Sequence, residues 1–408
     1  MLSYEDALGH ILAGASLPLP PETIPLSAAA GRVLATSLIA HDDLPSFANS
    51  AVDGFAVHVR DTANASVATP VVLPITQTIP AGSPPEHPLA PGEAARILTG
   101  APLPEGADGI VMVEDTRVET RNRVAILLPA TPKHIRLAGS DLARGEQALT
   151  AGATLDAGTI GLLAALNQAV VECHCMPRVA ILTTGDEVIP LGDDPLQPGQ
   201  IRNSNGPMLA AAVAEAGGQV VEHRHARDDE AGIRGALASF AGADVIIASG
   251  GVSVGDFDFV KKVVQEVGTL DFWRVAIKPG KPLAFGRVHD AVFFGLPGNP
   301  VSSLVTFELF VRPLLRRLAG HTALLRPNVT VRLADSLAHK PGRREFARAR
   351  VFAERGQLWA ELTGGQGSHR LTSLAGANAL LIAHEERADY ARGEEIPALL
   401  TGSVLPGN

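Results

Sequence analysis

Between Pro177 and about Gly320, short apolar runs take turns with segments whose apolar positions recur every three or four residues. Residues 179–182, 220–221, 244–248 and 292–294 read as buried strands, and 208–216, a stretch after 229, 259–267 and 301–318 read as helices. This alternation predicts a doubly wound parallel sheet covered by helices on both faces. Its loops at 183–187, 225–229, 249–256 and 295–300 then share one edge of the sheet, where such folds bind ligands.

The flanking regions follow other rhythms. From Tyr4 to about Ala40, Ala and Leu fall at helical spacing but are interrupted by Pro18, Pro20, Pro21 and Pro25, which predicts a short helix, a turn and a second helix. Residues 42–141 consist of brief Val/Ile/Leu runs between Pro and Gly, the pattern of a small β barrel or sandwich. Helical spacing resumes at 159–166, so the β-rich module is inserted into a helical N-terminal and linking region made of 1–41 and 142–176. Short alternating runs mark 326–408 as a small β domain. The predicted fold class is multidomain α/β plus β, with 177–320 as the central α/β domain.

Composition narrows the functional classes. A chain of 408 residues exceeds the usual single core, and 46% hydrophobic content excludes disorder. No apolar run is long enough to cross a membrane, and the acidic opening Met1-Leu-Ser-Tyr-Glu-Asp6 does not read as a signal peptide. A formal charge of −9 argues against a nucleic-acid partner, which requires a basic face. Cys173 and Cys175 are too close for a disulfide framework and lack a second ligand pair for zinc, so a reducing, cytoplasmic setting is expected.

The candidate chemistry gathers on the shared edge. In Ser249-Gly-Gly-Val-Ser-Val-Gly255, Gly250, Gly251 and Gly255 permit positive φ and close backbone approach, while Ser249 and Ser253 add hydroxyl donors, so the turn suits a phosphate. Asp256 and Asp258 follow it, and carboxylates beside a phosphate call for a divalent cation; oxygen ligands favour magnesium. An ordinary strand-to-helix loop capped by Asp256 is the plainer alternative. Asp186 with Glu187, and Asp228 with Asp229, come from two more strand ends; each pair also suits a helix cap, but their convergence would be relieved by a bound cation. Lys278 and Lys281 stand in Arg274-Val-Ala-Ile-Lys-Pro-Gly-Lys-Pro282, where Pro279 and Pro282 stiffen a loop for an oxyanion; a solvated basic loop is the alternative. Gly295-Leu-Pro-Gly-Asn-Pro300 opens a helix whose N–H groups favour an anion. In the β module, Asp53 and Thr99 sit in two rigid polar loops.

Taken together, Asn49-Ser-Ala-Val-Asp-Gly-Phe-Ala-Val57, Leu98-Thr-Gly-Ala-Pro-Leu-Pro-Glu-Gly-Ala-Asp108, Thr184-Gly-Asp-Glu187, Ser249 to Gly255, Ile277-Lys-Pro-Gly-Lys-Pro282 and Gly295 to Pro300 resemble the molybdopterin molybdenumtransferase family, which includes bacterial MoeA and the E domains of the plant enzyme and of gephyrin. The resemblance runs through nearly the whole chain in order. It implies an elongated homodimer that inserts molybdenum from molybdate into adenylylated molybdopterin with magnesium-assisted release of AMP. It also implies a central domain similar to molybdopterin adenylyltransferase and transient contact with that enzyme. By motif, the family's functional positions fall on Asp53, Thr99, Asp141, Glu187, Asp228 and Asp258, with Glu187, Asp228 and Asp258 as metal ligands, and on Lys278, Lys281, Pro297, Pro300 and Ser368. The β-module acids are expected to complete the crevice of the second subunit. Arg274 stands where the family commonly has lysine, which leaves the oxyanion contact there open. Adenylyl transfer to molybdopterin and a scaffolding role like that of gephyrin are the rival functions.

Overall fold

The computed structural model describes residues 1–15, 17–192, 195–251 and 259–407. Its centre is a six-stranded sheet in the order Gln219–Ala226, Arg178–Thr184, Val245–Ser249, Ala291–Leu296, Pro282–Val288, Gly268–Arg274. The first four strands are parallel and the last two antiparallel, so the sheet is mixed where the sequence pattern predicts a wholly parallel one. The cause is local. Val288 pairs with Ala291 across the two-residue turn His289-Asp290, with His289 at φ 53°, and so short a connection permits only an antiparallel neighbour.

Alternation along the parallel strands feeds two separate cores. Val179, Ile181, Val245, Ile247 and Phe294 pack against the Asn205–Glu215 helix and the helical run from Pro300 to Leu318. Ala180, Leu182, Ile246, Ala248 and Phe293 face the helices Glu230–Ser239 and Phe259–Val267. Period-two side-chain direction thus sets which helix each residue buries, and each fully buried large side chain contributes roughly 1.5–3 kcal/mol. The long helix contains a π-helical turn at Phe307–Val311, next to Pro313, which has no N–H to give the preceding turn.

Of the two helices expected in the first forty residues, one forms. Tyr4–Ala13, capped by Ser3, sends Ala7 and Ile11 into the first α/β core, and Tyr4 meets the rings of Phe310 and Phe346 at centroid distances of 5.7 and 5.6 Å. The expected second helix is replaced by the strand Pro21–Pro25, which pairs antiparallel with Val170–His174, and a 3-10 turn at Leu26–Ala28. The prolines remove amide donors that a helix needs. Helix Ala157–Ala165, with an Asp156–Thr159 capping box, follows the β module.

The β module forms a six-stranded sheet ordered Gly109–Met112, Gly54–Val57, Ala94–Ile97, Val71–Ile79, Arg123–Ile126, Thr116–Thr120, with apolar clusters around Phe55 and Ile126 and around Ile79 and Ile97. In the C-terminal region, Arg344–Glu354, Gln357–Leu362, Asn328–Leu333, Glu395–Leu400 and Ala379–Ala383 pair in turn and close back on the first, a five-stranded barrel around Val331, Val351, Leu381 and Ile396. Ile277–Lys278 adds to Arg344–Glu345 and so ties the barrel to the α/β unit. No helix among the described residues is long and apolar enough to cross a membrane.

Candidate functional site

A cleft of about 760 Å³ opens at the carboxyl ends of the parallel strands. Of the positions singled out in the sequence, Glu187, Asp228, Ser249, Gly250, Gly251, Pro297 and Pro300 line it together, as do Thr184 and Asn205. His369 and Leu371 come from the C-terminal region. Ser368 stands beside them, its carbonyl accepting the Val301 N–H at 3.2 Å at the start of the long helix.

The floor is a lattice of polar contacts between neighbouring strand ends. Asn205 Nδ2 donates to Ser249 Oγ at 2.9 Å and to the Gly298 carbonyl at 2.7 Å, and Ser249 Oγ lies 3.3 Å from Ser303 Oγ. Gly250, at φ 101°, has no room for a side chain, since a Cβ would stand 2.8 Å from Thr184 Oγ1 and 2.9 Å from the Thr184 carbonyl oxygen. Gly251, at φ 64°, would meet Val260 Cγ2 at 2.6 Å. The glycine corner therefore turns tightly against Thr184 for a geometric reason.

Against this fixed floor, Thr184 Oγ1, Asn205 Oδ1 and Asp228 Oδ1 are buried and make no hydrogen bond among the described residues. Buried polar atoms left without partners cost about 1–3 kcal/mol each, so three on one cleft mark a place where a ligand completes the set. Burial pushes the Asp228 carboxyl above the usual carboxylate range, and Glu187 and Asp186 push the same way. The Thr184 hydroxyl lies near enough to oppose that rise, though its Oγ1 lacks hydrogen-bond geometry to any described group. A cation between these acids offsets both burial and repulsion. Among the described residues no three His, Cys, Asp or Glu side chains gather as a metal site. Ser253, Gly255, Asp256 and Asp258 lie outside the described residues.

Other candidates are placed elsewhere. Asp229 caps the Glu230–Ser239 helix, its Oδ1 accepting the Gly232 N–H at 2.7 Å. Asp186 and Arg274 are exposed. Lys278 Nζ pairs at 2.9 Å with Glu345, whose side chain is 3% exposed and also meets His339 Nδ1 at 2.8 Å. Lys281 is exposed beside Pro282, a lining residue. Asp53 and Thr99 meet each other in the β module and do not line this cleft: Asp53 Oδ1 accepts the Thr99 N–H at 2.7 Å and the Thr99 hydroxyl at 2.8 Å. Those two bonds hold the Asp53 carboxyl below the usual range. Asp141 is likewise exposed outside the cleft, its N–H bonded to the Leu44 carbonyl.

Arg348 organises the C-terminal wall and was not singled out from the sequence. It is 1% exposed; its Nε donates to Ser373 Oγ at 3.1 Å, and its Nη2 to the carbonyls of Gly365 and Gly367 at 3.3 and 3.2 Å. The available signal is strand parity: Arg348 shares the face of buried Phe346 within Arg344–Glu354.

Comparisons with known proteins agree with this architecture. The model described as MoeA N-terminal region (domain I and II) matches residues 2–167, the probable molybdopterin binding domain matches 180–317, and MoeA C-terminal region (domain IV) matches 330–401. The chain is similar to molybdopterin molybdenumtransferase 2 of Mycobacterium tuberculosis, 42% identical with 92% of this chain and 94% of the relative covered. It is also similar to molybdopterin molybdenumtransferase of Haemophilus influenzae, 36% identical over 97% and 98%. The solved molybdopterin biosynthesis MoeA protein of Pyrococcus horikoshii superposes with a TM-score of 0.83 at 30% identity, covering 98% of this chain and all of that one.

Proposed function

The chain belongs to the molybdopterin molybdenumtransferase (MoeA) family, and from that premise we propose how its cleft carries out the transfer. It is an enzyme of molybdenum cofactor biosynthesis, and its substrates are molybdopterin and molybdate. We infer that the pterin arrives adenylylated and that AMP leaves as the metal enters. The observation that carries this reading is the set of unpartnered buried atoms on Thr184, Asn205 and Asp228 around the glycine corner.

The Ser249–Gly251 turn and the neighbouring Pro297–Pro300 loop bind and orient the phosphate, with Asn205 fixing the two loops against each other. Asp228 and Glu187, with Asp258 beyond the described residues, are the groups that would hold magnesium. The orphaned oxygen of Asp228 and the crowding of acids fit that ion. Magnesium supplies charge neutralisation at the phosphoanhydride. Lys281 supplies a cation for molybdate, while Lys278 is committed to buried Glu345 and acts mainly as a tie between the barrel and the α/β unit. Arg348 holds the segment that presents Ser368 and His369. The molybdenum sulfur ligands come from the pterin dithiolene, so no protein cysteine is required.

Asp53, Thr99 and Asp141 serve the cleft of a second subunit in a cytoplasmic homodimer. Incubating purified protein with adenylylated molybdopterin, magnesium and molybdate should release AMP in step with metal-loaded cofactor. Adenylate formed from ATP and free molybdopterin, with no metal insertion, would replace this reading by the adenylyltransferase one.

A further inference from the structure

Metal insertion makes a demand that the groups assigned above leave unmet. When the pterin dithiol takes up molybdate, two Mo–S bonds form and one Mo–O bond breaks. Both thiol protons pass to the departing oxygen, which leaves as water, and no electron changes hands. Some group must carry those protons. Among the described residues that line the cleft, Glu187, Asp228 and His369 have side chains that can take up and return a proton, whereas Arg202 stays charged. Glu187 and Asp228 are the proposed magnesium ligands, so His369 remains. It stands on a fixed turn of the C-terminal region. The Ser368 carbonyl accepts the Val301 N–H at 3.2 Å, the Gly367 carbonyl accepts the Arg370 N–H and buried Arg348 Nη2, each at 3.2 Å, and the His369 carbonyl accepts the Leu371 N–H at 3.1 Å. The imidazole lies over Gly367, where a Cβ would stand 2.9 Å from its Cε1 and 3.3 Å from its Nδ1. The ring is exposed, and neither of its nitrogens makes a hydrogen bond among the described residues. Pro282, next in sequence to Lys281, lines the same cleft.

We propose that His369 is the proton-transfer group of metal insertion; this rests on the reading of the cleft given above. Its free imidazole nitrogen takes a proton from a pterin thiol as the sulfur binds molybdenum, and the imidazolium returns that proton to the oxo oxygen that leaves. The second thiol proton follows the same route, so His369 ends the reaction as it began. A turn pinned by main-chain bonds and by buried Arg348 holds the backbone that carries the ring in place before substrate arrives, which is the condition for efficient proton transfer.

The test is single-turnover formation of metal-loaded cofactor by full-length wild type, His369→Gln and His369→Ala, with calorimetric titrations of adenylylated molybdopterin and of molybdate into each. The side chain is exposed, so both variants should fold. The insertion rate should fall about a hundredfold or more in each, the usual worth of a positioned proton carrier, while both ligands bind as before. Glutamine keeps hydrogen-bonding groups but carries no proton, so it should be as slow as alanine. Free imidazole should return part of the rate to His369→Ala. An undiminished rate in His369→Gln, a rate loss matched by weaker binding of either ligand, or no response of His369→Ala to imidazole overturns the assignment. Fast variants beside an active wild type overturn this proposal alone, whereas a wild type that neither releases AMP nor loads metal removes the cleft reading and this proposal together.

Discussion

In the cleft, Asp228 has a buried carboxylate oxygen that finds no donor among the described residues, whereas in the β module Asp53 is exposed and accepts two hydrogen bonds from Thr99. The two acids are driven in opposite directions, Asp228 upward chiefly by burial and Asp53 downward chiefly by the Thr99 N–H. An acid held without its partner is part of a site that a ligand finishes. An acid already satisfied by its own loop is a fixed charge presented outward. This contrast is why we assign ligand and cation binding to the first region and completion of a neighbouring subunit's site to the second.

The strongest way to break the contrast is to remove the charges while keeping their shapes. Asp228→Asn and Glu187→Gln should each lower AMP release about a hundredfold or more, because the proposed cation loses a ligand. Melting temperature should stay level or rise in Asp228→Asn, since a buried charge is removed. A large fall in stability with proportionate activity would make Asp228 structural. Asp53→Asn should also be inactive alone, and mixing its unfolded and refolded chains with Asp228→Asn chains should restore activity through hybrid dimers. Mixtures that remain inactive would confine the site to one chain.

How much of this was legible beforehand depends on the range of the interaction. The central strands, their order of loops and the glycine corner follow from local pattern, because period-two alternation and Gly250 and Gly251 act within a few residues. The strand Pro21–Pro25 was misread as helix because its pairing partner, Val170–His174, is distant in sequence. The same limit hid Arg348 and the lock on Lys278: Glu345 is 67 residues away from that lysine. Of the three acid pairs, Glu187 and Asp228 line one cleft, Asp229 caps a helix, and Asp256 and Asp258 lie outside the described residues.

The two lysines of the basic loop sharpen the same distinction at smaller scale. Lys281→Ala should raise the molybdate concentration needed for insertion by roughly ten- to a hundredfold, the worth of one charge-assisted contact, with a smaller change for the adenylylated pterin. Lys278→Ala should act first on stability, costing about 1–2 kcal/mol because Glu345 stays buried without its ammonium partner, left with the His339 hydrogen bond and the nearby Arg348 charge; the lysine's partial exposure keeps that figure well below a fully buried pair. Thermal melts and molybdate titrations of both variants separate the roles. A pure molybdate effect in Lys278→Ala would return that residue to the oxyanion site.

The smallest expected effect tests whether Asp53 is held ready by Thr99 alone. Thr99→Val keeps the backbone N–H, the larger of the two influences on the carboxyl, and removes the hydroxyl. The folded-state pKa of Asp53 lies below its unfolded value, so its stabilising effect is present above the ordinary Asp range and is lost as pH falls through the folded value. In Thr99→Val that acid limb should move upward, part of the way to an ordinary aspartate, as followed by carboxyl NMR shifts. AMP release at neutral pH should fall only about three- to tenfold, since Asp53 stays ionised and loses orientation rather than charge. A loss as large as that of Asp53→Asn would mean that the Thr99 hydroxyl touches substrate itself, and an unmoved acid limb would mean that the N–H bond alone fixes the carboxylate.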